Sequence, residues 1–144
     1  MQLQKTIDLS TDYPLAYWYR GWVYGQKGMV PRTFRDMNKA QEMAKNNLIV
    51  RADLGHLYAI AGQTEEAKRI IDELKKLSRQ RYVNSFEVGI IYVGLGDKEH
   101  AFEWLEKAFR ERSDILIYLQ VDPRLDPIRS DPRFADLVRR VGIP

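Results

Sequence analysis

The fold is decided by a short stretch near the middle of the chain, Arg51-Ala52-Asp53-Leu54-Gly55-His56-Leu57-Tyr58-Ala59. Related stretches occur at residues 17–24 and 85–92, and all three align without gaps. Four columns of this alignment repeat every 34 residues, namely Gly21, Gly55 and Gly89; Tyr24, Tyr58 and Tyr92; Gly28, Gly62 and Gly96; and Met37, Ile71 and Leu105. A period that several columns keep over three copies indicates that each copy is one structural unit of a repeat architecture.

The apolar residues of each copy have helical spacing. In the second copy they recur in steps of three and four over 54–61 and again, after a glycine-containing break, over 67–77. Such steps place one apolar stripe along an α-helix. The glycine at the break predicts a turn with positive φ between two antiparallel helices. The pattern therefore predicts an all-α fold, with helix pairs at 14–27 and 31–44, 48–61 and 64–77, and 84–95 and 98–111.

Local signals support the ends and the packing of these helices. Thr64 and Asp97 follow the turns, and we expect both to be N-caps. Pro31 opens the second helix of the first pair, where its missing N–H is tolerated. The second glycine column, at 21, 55 and 89, and small residues at 40, 67, 101 and 108 predict close approach of the helix backbones.

Composition excludes several classes of protein. The chain has 144 residues, 44% of them hydrophobic and 30% charged, which is ordinary for one folded domain and wrong for a disordered one. It has no cysteine and only two histidines, His56 and His100, which argues against disulfides, thiolate zinc sites and a multi-histidine metal centre. No apolar run approaches a membrane span, and residues 1–12 lack the apolar stretch of a secretory signal. We therefore expect a cytoplasmic protein with no metal and no cofactor.

The repeated columns resemble the tetratricopeptide repeat. Leu54-Gly55, Tyr58, Gly62 and Ala67 fit its pattern, and the third copy fits it nearly as well. The first copy departs from it, because Arg20 stands where leucine is usual and Thr33 where alanine is usual. The resemblance covers about residues 1–112. It implies a right-handed α-α superhelix, a solenoid of antiparallel helix pairs, and a role in protein–protein interaction.

On this basis we expect the chain to be a single domain with atypical ends. We expect a partial repeat helix at 1–12, repeats at 14–47, 48–81 and 82–115, and a degenerate repeat or C-terminal cap at 116–144. Leu3, Ile7 and Leu9 give the partial helix an apolar face. That face must pack on 14–27, meet another chain or reflect truncation from a longer polypeptide, and we favour truncation. An open face also predicts homodimers that pair through residues 1–26.

The C-terminal residues keep the period in part. The second helix of a fourth copy is predicted at 131–141, with Ser130 or Asp131 as its cap and Pro132 in its first turn. The matching first helix is interrupted by Pro123 and Pro127. Residues 118–127 and 130–134 resemble the endings of tetratricopeptide arrays that close bacterial multi-domain signalling proteins and transcriptional regulators. That resemblance implies a regulatory tail cut from a larger protein.

The first helix of each pair is predicted to line a concave groove that binds a protein or a peptide. The lining residues would be Trp18, Tyr19 and Trp22 from the first pair, Asp53, His56 and Ile60 from the second, and Phe86, Glu87, Ile90 and Val93 from the third. Aromatic anchors of this kind carry much of the binding energy at interfaces. In the alternative, Trp18 or Trp22 packs between helices, or the segment 115–121 folds back and fills the groove. The charged residues that clamp a C-terminal carboxylate in some tetratricopeptide proteins are absent.

Two other classes of function stay open. His56 beside Asp53 is the best candidate for acid–base chemistry, which would make the chain an auxiliary domain of an enzyme, although we expect no catalytic residue. Basic residues cluster around the second helix of the second pair, at Lys68, Arg69, Lys75, Lys76, Arg79 and Arg81. Nucleic acid would need matching polar residues at equivalent positions of each repeat, but positions 18, 52 and 86 are Trp, Ala and Phe. Nucleic-acid binding is therefore disfavoured, and no membrane association is expected.

Overall fold

The structure, a computed structural model, describes residues 14–142. The α-helices are α1 (Pro14–Gln26), α2 (Val30–Met43), α3 (Leu48–Ile60), α4 (Thr64–Leu77), α5 (Ser85–Leu95), α6 (Lys98–Arg110) and α7 (Pro132–Val141). Two 3₁₀-helices, η1 (Asp114–Tyr118) and η2 (Pro123–Ile128), lie between α6 and α7. No strand is present in 14–142, which confirms the all-α prediction, and each predicted helix boundary is met within about two residues. The partial helix predicted at 1–12 lies outside the described residues.

The chain forms two compact units, one ending at Leu54 and the other beginning at Gly55. The boundary between them lies inside α3. In the first unit α1 packs against α2, and in the second α5 packs against α4, α6 and η2, while α6 also contacts α7. The prediction that residues 1–144 form a single continuous array is not tested by these contacts and stays a prediction.

The turn glycines behave as the sequence predicted. Gly28, Gly62 and Gly96 have φ values of 72°, 81° and 77°, a region that only glycine enters at low cost. The residue after each glycine donates its N–H to the carbonyl of a repeated tyrosine, Tyr24, Tyr58 or Tyr92, at 2.9, 2.8 and 3.0 Å. These bonds satisfy carbonyls that a helix end would otherwise leave unpaired. The same turn therefore closes the first helix of all three repeats.

The glycines at 21, 55 and 89 each lie against a neighbouring helix. A Cβ atom on Gly21 would lie 3.0 Å from Met37, and one on Gly55 would lie 2.8 Å from Ile91 Cδ1. Around Gly89 the nearest atoms would be 3.4 Å away, which is an ordinary contact. A Cβ atom would therefore be crowded by side chains at 21 and 55, whereas at 89 its nearest neighbour would be the backbone carbonyl of Ala101 on the next helix, at an ordinary contact distance.

The predicted caps are confirmed except at one position. The side chains of Asp97 and Asp131 accept hydrogen bonds from the backbone N–H groups of His100 and Arg133, at 3.1 and 2.9 Å. Thr64 is the first residue of α4 instead, and Gln63, which precedes it, makes no side-chain capping bond. The expectation that Thr64 is an N-cap was wrong by one residue. Glu65 and Glu66 in the first turn still favour that helix end through its dipole.

Arg20 and Thr33, the two residues of the first repeat that depart from the family pattern, both have hydrogen-bond partners. The Arg20 guanidinium donates to the Asp36 carboxylate from Nε at 2.5 Å and from Nη2 at 2.7 Å. The Thr33 hydroxyl donates to the carbonyl oxygen of Met29, one turn earlier, at 3.1 Å. Polar groups therefore enter the interior of the first unit together with their hydrogen-bond partners.

Candidate partner-binding site

The first unit carries an exposed aromatic face on α1, formed by Trp18, Tyr19 and Trp22. Trp22 follows Tyr19 by three residues and Trp18 by four, which places Trp22 beside both side chains on the helix surface. Tyr19 is 47% exposed and Trp22 is 42% exposed. The rings of Trp18 and Tyr19 meet edge to face, with centroids 4.6 Å apart and planes at 66°. We call these three residues the aromatic face.

Asp53 fixes the position of one member of the aromatic face. The indole Nε1–H of Trp18 donates to Asp53 Oδ2 at 2.7 Å. Asp53 lies in α3 and is buried, so this hydrogen bond is partly shielded from water, which strengthens it. The bond holds the Trp18 ring in one orientation while Tyr19 and Trp22 stay open to solvent. An ordered aromatic surface of this kind loses little conformational entropy when it binds a partner.

The residues predicted on α5 lie in the interior of the second unit. Phe86, Ile90 and Val93 are 0%, 1% and 2% exposed, and Glu87 is 6% exposed. They therefore do not line an open surface in this structure. The sequence of α5, Ser-Phe-Glu-Val-Gly-Ile-Ile-Tyr-Val-Gly-Leu, holds the signal for this burial because it is apolar all round. A helix without a polar side is covered on every side.

The cover on α5 includes η2. The Arg124 guanidinium lies 5.8 Å from the centre of the Phe86 ring, and its Nη1 lies 3.9 Å from Glu87 Oε2. The sequence left open a segment at 115–121 that fills the groove, and the structure shows the following segment, Pro123–Ile128, packed on α5. Within 115–121, Leu116 and Leu119 are buried, while Ile117, Tyr118 and Val121 are exposed. Whether the segment 115–121 fills a groove stays a prediction.

His56 and Ile60 complete the predicted set in the second unit. Ile60, at the end of α3, is exposed. His56 is partly buried, and the burial lowers the pKa of its imidazole to about 4, because a charged ring would lose hydration there. Arg124 lowers this pKa further, whereas Asp122 acts in the opposite direction. His56 is therefore neutral at physiological pH. Whether these residues bind a partner stays a prediction.

The basic cluster of α4 is interleaved with acidic side chains. Arg69 pairs with Glu66 at 2.9 Å, and Lys68 lies 3.9 Å from Glu65. Lys75 donates instead to the hydroxyl of Tyr92 on α5, at 2.8 Å.

Metal sites and membrane spans each require a particular arrangement of residues. Within 14–142 no group of three or more His, Cys, Asp or Glu side chains is placed to hold a metal ion. None of the helices in the same part of the chain has the length and apolarity needed to cross a membrane.

Comparison with known proteins gives one finding. A family model described as tetratricopeptide repeat matches residues 86–114, which include nearly all of α5 and the whole of α6. Searches of curated proteins and of solved structures gave no match. The matched residues carry the glycine and tyrosine columns that recur at 34-residue spacing through the earlier helix pairs. The chain is therefore an all-α helical repeat protein with a tetratricopeptide repeat at residues 86–114, and this repeat points to protein–protein interaction.

Proposed function

We propose that this chain is a protein-interaction module that binds a peptide or a partner protein through the aromatic face of α1. The observation that supports the proposal most directly is the exposure of Tyr19 and Trp22, at 47% and 42%, beside a Trp18 ring held by Asp53. Trp and Tyr are enriched among the residues that dominate binding energy at interfaces. Tetratricopeptide repeats are typically non-catalytic, and we propose no catalytic residue.

The setting of the module is part of the same proposal. The C-terminal residues 118–134 resemble the endings of arrays that close bacterial signalling proteins, which supports a scaffold or regulatory tail in the cytoplasm. The DNA sequence upstream of the codon for Met1 tests this setting directly. A signalling or DNA-binding domain encoded in frame there supports it, and a stop codon immediately upstream contradicts it.

The binding site is tested with a random dodecapeptide phage library selected on the intact chain. We expect enriched peptides that lose at least tenfold in affinity when Trp22 or Tyr19 is replaced by alanine, because truncating an interface aromatic removes about 2 kcal/mol or more. Tyr82 is also an exposed aromatic residue, but it lies in the second unit. Tyr82→Ala is therefore the matched control and should leave binding unchanged. Peptides that bind equally well to Trp22→Ala and Tyr19→Ala would contradict the proposal.

A further inference from the structure

The segment 119–129, which contains η2, holds its own shape. The Asp122 carboxylate accepts the backbone N–H of Arg124 at 3.0 Å and the Arg124 Nη2 at 2.7 Å. Arg129 donates to the carbonyl oxygens of Leu119 and Asp122, at 3.0 and 2.6 Å. Two prolines, Pro123 and Pro127, restrict the backbone between these bonds. The segment therefore has a defined shape that it draws from local bonds.

The same segment is docked on α5 as a bound peptide would be. Leu125 and Ile128 are buried, which gives the segment two apolar anchors. Arg124 adds a polar contact, since its guanidinium lies over the Phe86 ring and faces Glu87. Glu87 is the only acidic residue of α5. The helix α5 is otherwise apolar. It meets the segment through the Phe86 ring and the Glu87 carboxylate, and both groups contact Arg124.

The chemistry of this contact is selective. A guanidinium is planar and can stack on an aromatic ring while its edge pairs with a carboxylate, which the ammonium of lysine does less well. An acidic side chain at the same place would face the carboxylates of Glu87 and Asp122. The contact therefore favours arginine over lysine and strongly disfavours aspartate or glutamate.

We propose that the face of α5 bearing Phe86 and Glu87 is a recognition site for a segment with arginine followed by an aliphatic residue. The chain's own Arg124-Leu125 occupies this site in the structure, and a partner with the same pair of residues competes for it. This inference rests on the proposed function, because it assumes that the chain binds peptides. It assigns a second site, in the second unit, with its own sequence preference.

The test uses a fluorescent peptide with the sequence of residues 119–129, Leu-Gln-Val-Asp-Pro-Arg-Leu-Asp-Pro-Ile-Arg, and the full-length chain. Replacement of Arg124 by alanine in the protein weakens the internal occupant. Fluorescence polarisation should then show at least tenfold tighter binding of the peptide to Arg124→Ala than to the unaltered chain. A matched peptide with alanine in place of its first arginine should bind the same variant at least tenfold more weakly. Equal binding of the two peptides, or no binding to a folded Arg124→Ala chain, overturns the inference.

If Arg124→Ala does not fold, hydrogen exchange on the unaltered chain provides a second test. A replaceable occupant opens without unfolding of the helices beneath it, so the amides of 119–129 should exchange at least tenfold faster than those of α5 and α6. Exchange of all these amides at one common rate would show that the segment is part of the cooperative core, and would overturn the inference.

One further variant separates the two sites. Trp22→Ala should leave the binding of the 119–129 peptide unchanged, because Trp22 lies in the first unit and the proposed α5 site lies in the second. Loss of peptide binding in Trp22→Ala would overturn the assignment of this peptide to α5. Failure of the library selection on α1, with the 119–129 peptide still bound, would contradict only the proposal for the aromatic face.

Discussion

Arg20 and Asp36 form a buried ion pair at positions that are largely apolar in the other repeats. Arg20 is 7% exposed and Asp36 is 1% exposed. Thirty-four residues later the same two positions are Leu54 and Ile70. The hydrogen bonds to Asp36 raise the pKa of Arg20, so its guanidinium stays charged. A pair of this kind is satisfied only while both partners are present.

Removal of one partner should therefore be far more damaging than removal of both. We expect Arg20→Leu to lower the free energy of unfolding by about 3–5 kcal/mol, because the carboxylate of Asp36 is left in an apolar interior. The exposed Arg35, whose Nε lies 3.5 Å from Asp36 Oδ1, offsets part of that loss. Arg20→Leu combined with Asp36→Ile restores the residues of the next repeat and should recover most of the stability. Urea unfolding followed by circular dichroism measures both, and a double variant no more stable than the single one would contradict this account.

His56 should make stability depend on pH. Its pKa is lowered to about 4 in the folded chain and is 6.5 in an unperturbed histidine, so the unfolded chain binds a proton first as the pH falls. The stabilisation is complete above pH 6.5 and is lost as the pH falls towards 4. Between pH 7.5 and 5 we expect the intact chain to lose about 1–2 kcal/mol more than His56→Gln. Urea titrations at these two pH values measure the difference, and equal losses would show that His56 is not responsible.

At the scale of elements, α7 is attached to α6 by two arginines that follow the repeat period. Arg133 pairs with Glu99 at 3.0 Å, and Arg140 pairs with Glu106. Both pairs span 34 residues. The same guanidinium groups lie over the rings of Phe102 and Phe109, at 4.5 and 5.0 Å. Each arginine thus combines an ion pair with a cation–π contact on the neighbouring helix.

The contribution of this contact can be separated from that of charge alone. Arg140→Ala should lower the free energy of unfolding by about 1 kcal/mol, since it removes an ion pair and a ring contact between helices. Arg139 is the matched control: it has the same charge, its side chain is 74% exposed, and it pairs with Asp136 of its own helix. Arg139→Ala should change stability by less than about 0.5 kcal/mol. Thermal unfolding of the two variants side by side checks this, and equal losses would rule out the ring contact.

The helices were predictable from the sequence because each one has its own periodic signal. Apolar residues at steps of three and four predicted α1 to α6, and the glycines at 28, 62 and 96 predicted the turn within each helix pair. The error at Thr64 arose because Gln63 and Thr64 are both compatible with a helix start, and capping geometry cannot be read from residue type alone. The burial of the α5 residues could not be predicted from repeat geometry, because the segment that covers them, η2, comes from a later part of the chain. The all-round apolar sequence of α5 was the signal that could have indicated it.

At the scale of the whole molecule, the association state is the property that remains a prediction. Residues 1–13 lie outside the described part of the chain, but the aromatic face of α1 falls within the interval 1–26 that was predicted to pair. If copies meet there, the sedimentation coefficient should rise with concentration. Trp22→Asp should abolish that rise, since a carboxylate would be buried at the contact. A sedimentation coefficient that stays that of a monomer up to millimolar concentration would count against pairing.

The ion pair of the first repeat also has a consequence for how the chain finds its fold. Helices that share one repeat period can pack against the wrong neighbour during folding, because their apolar faces are similar. If α4 took the place of α2 against α1, Arg20 would meet Ile70 instead of Asp36, and a cation would be trapped without a counter-charge. Such a mispaired intermediate is too unstable to accumulate. The Arg20–Asp36 pair, at positions that are Leu54 and Ile70 in the next repeat, therefore favours pairing of α1 with α2 over pairing of α1 with α4.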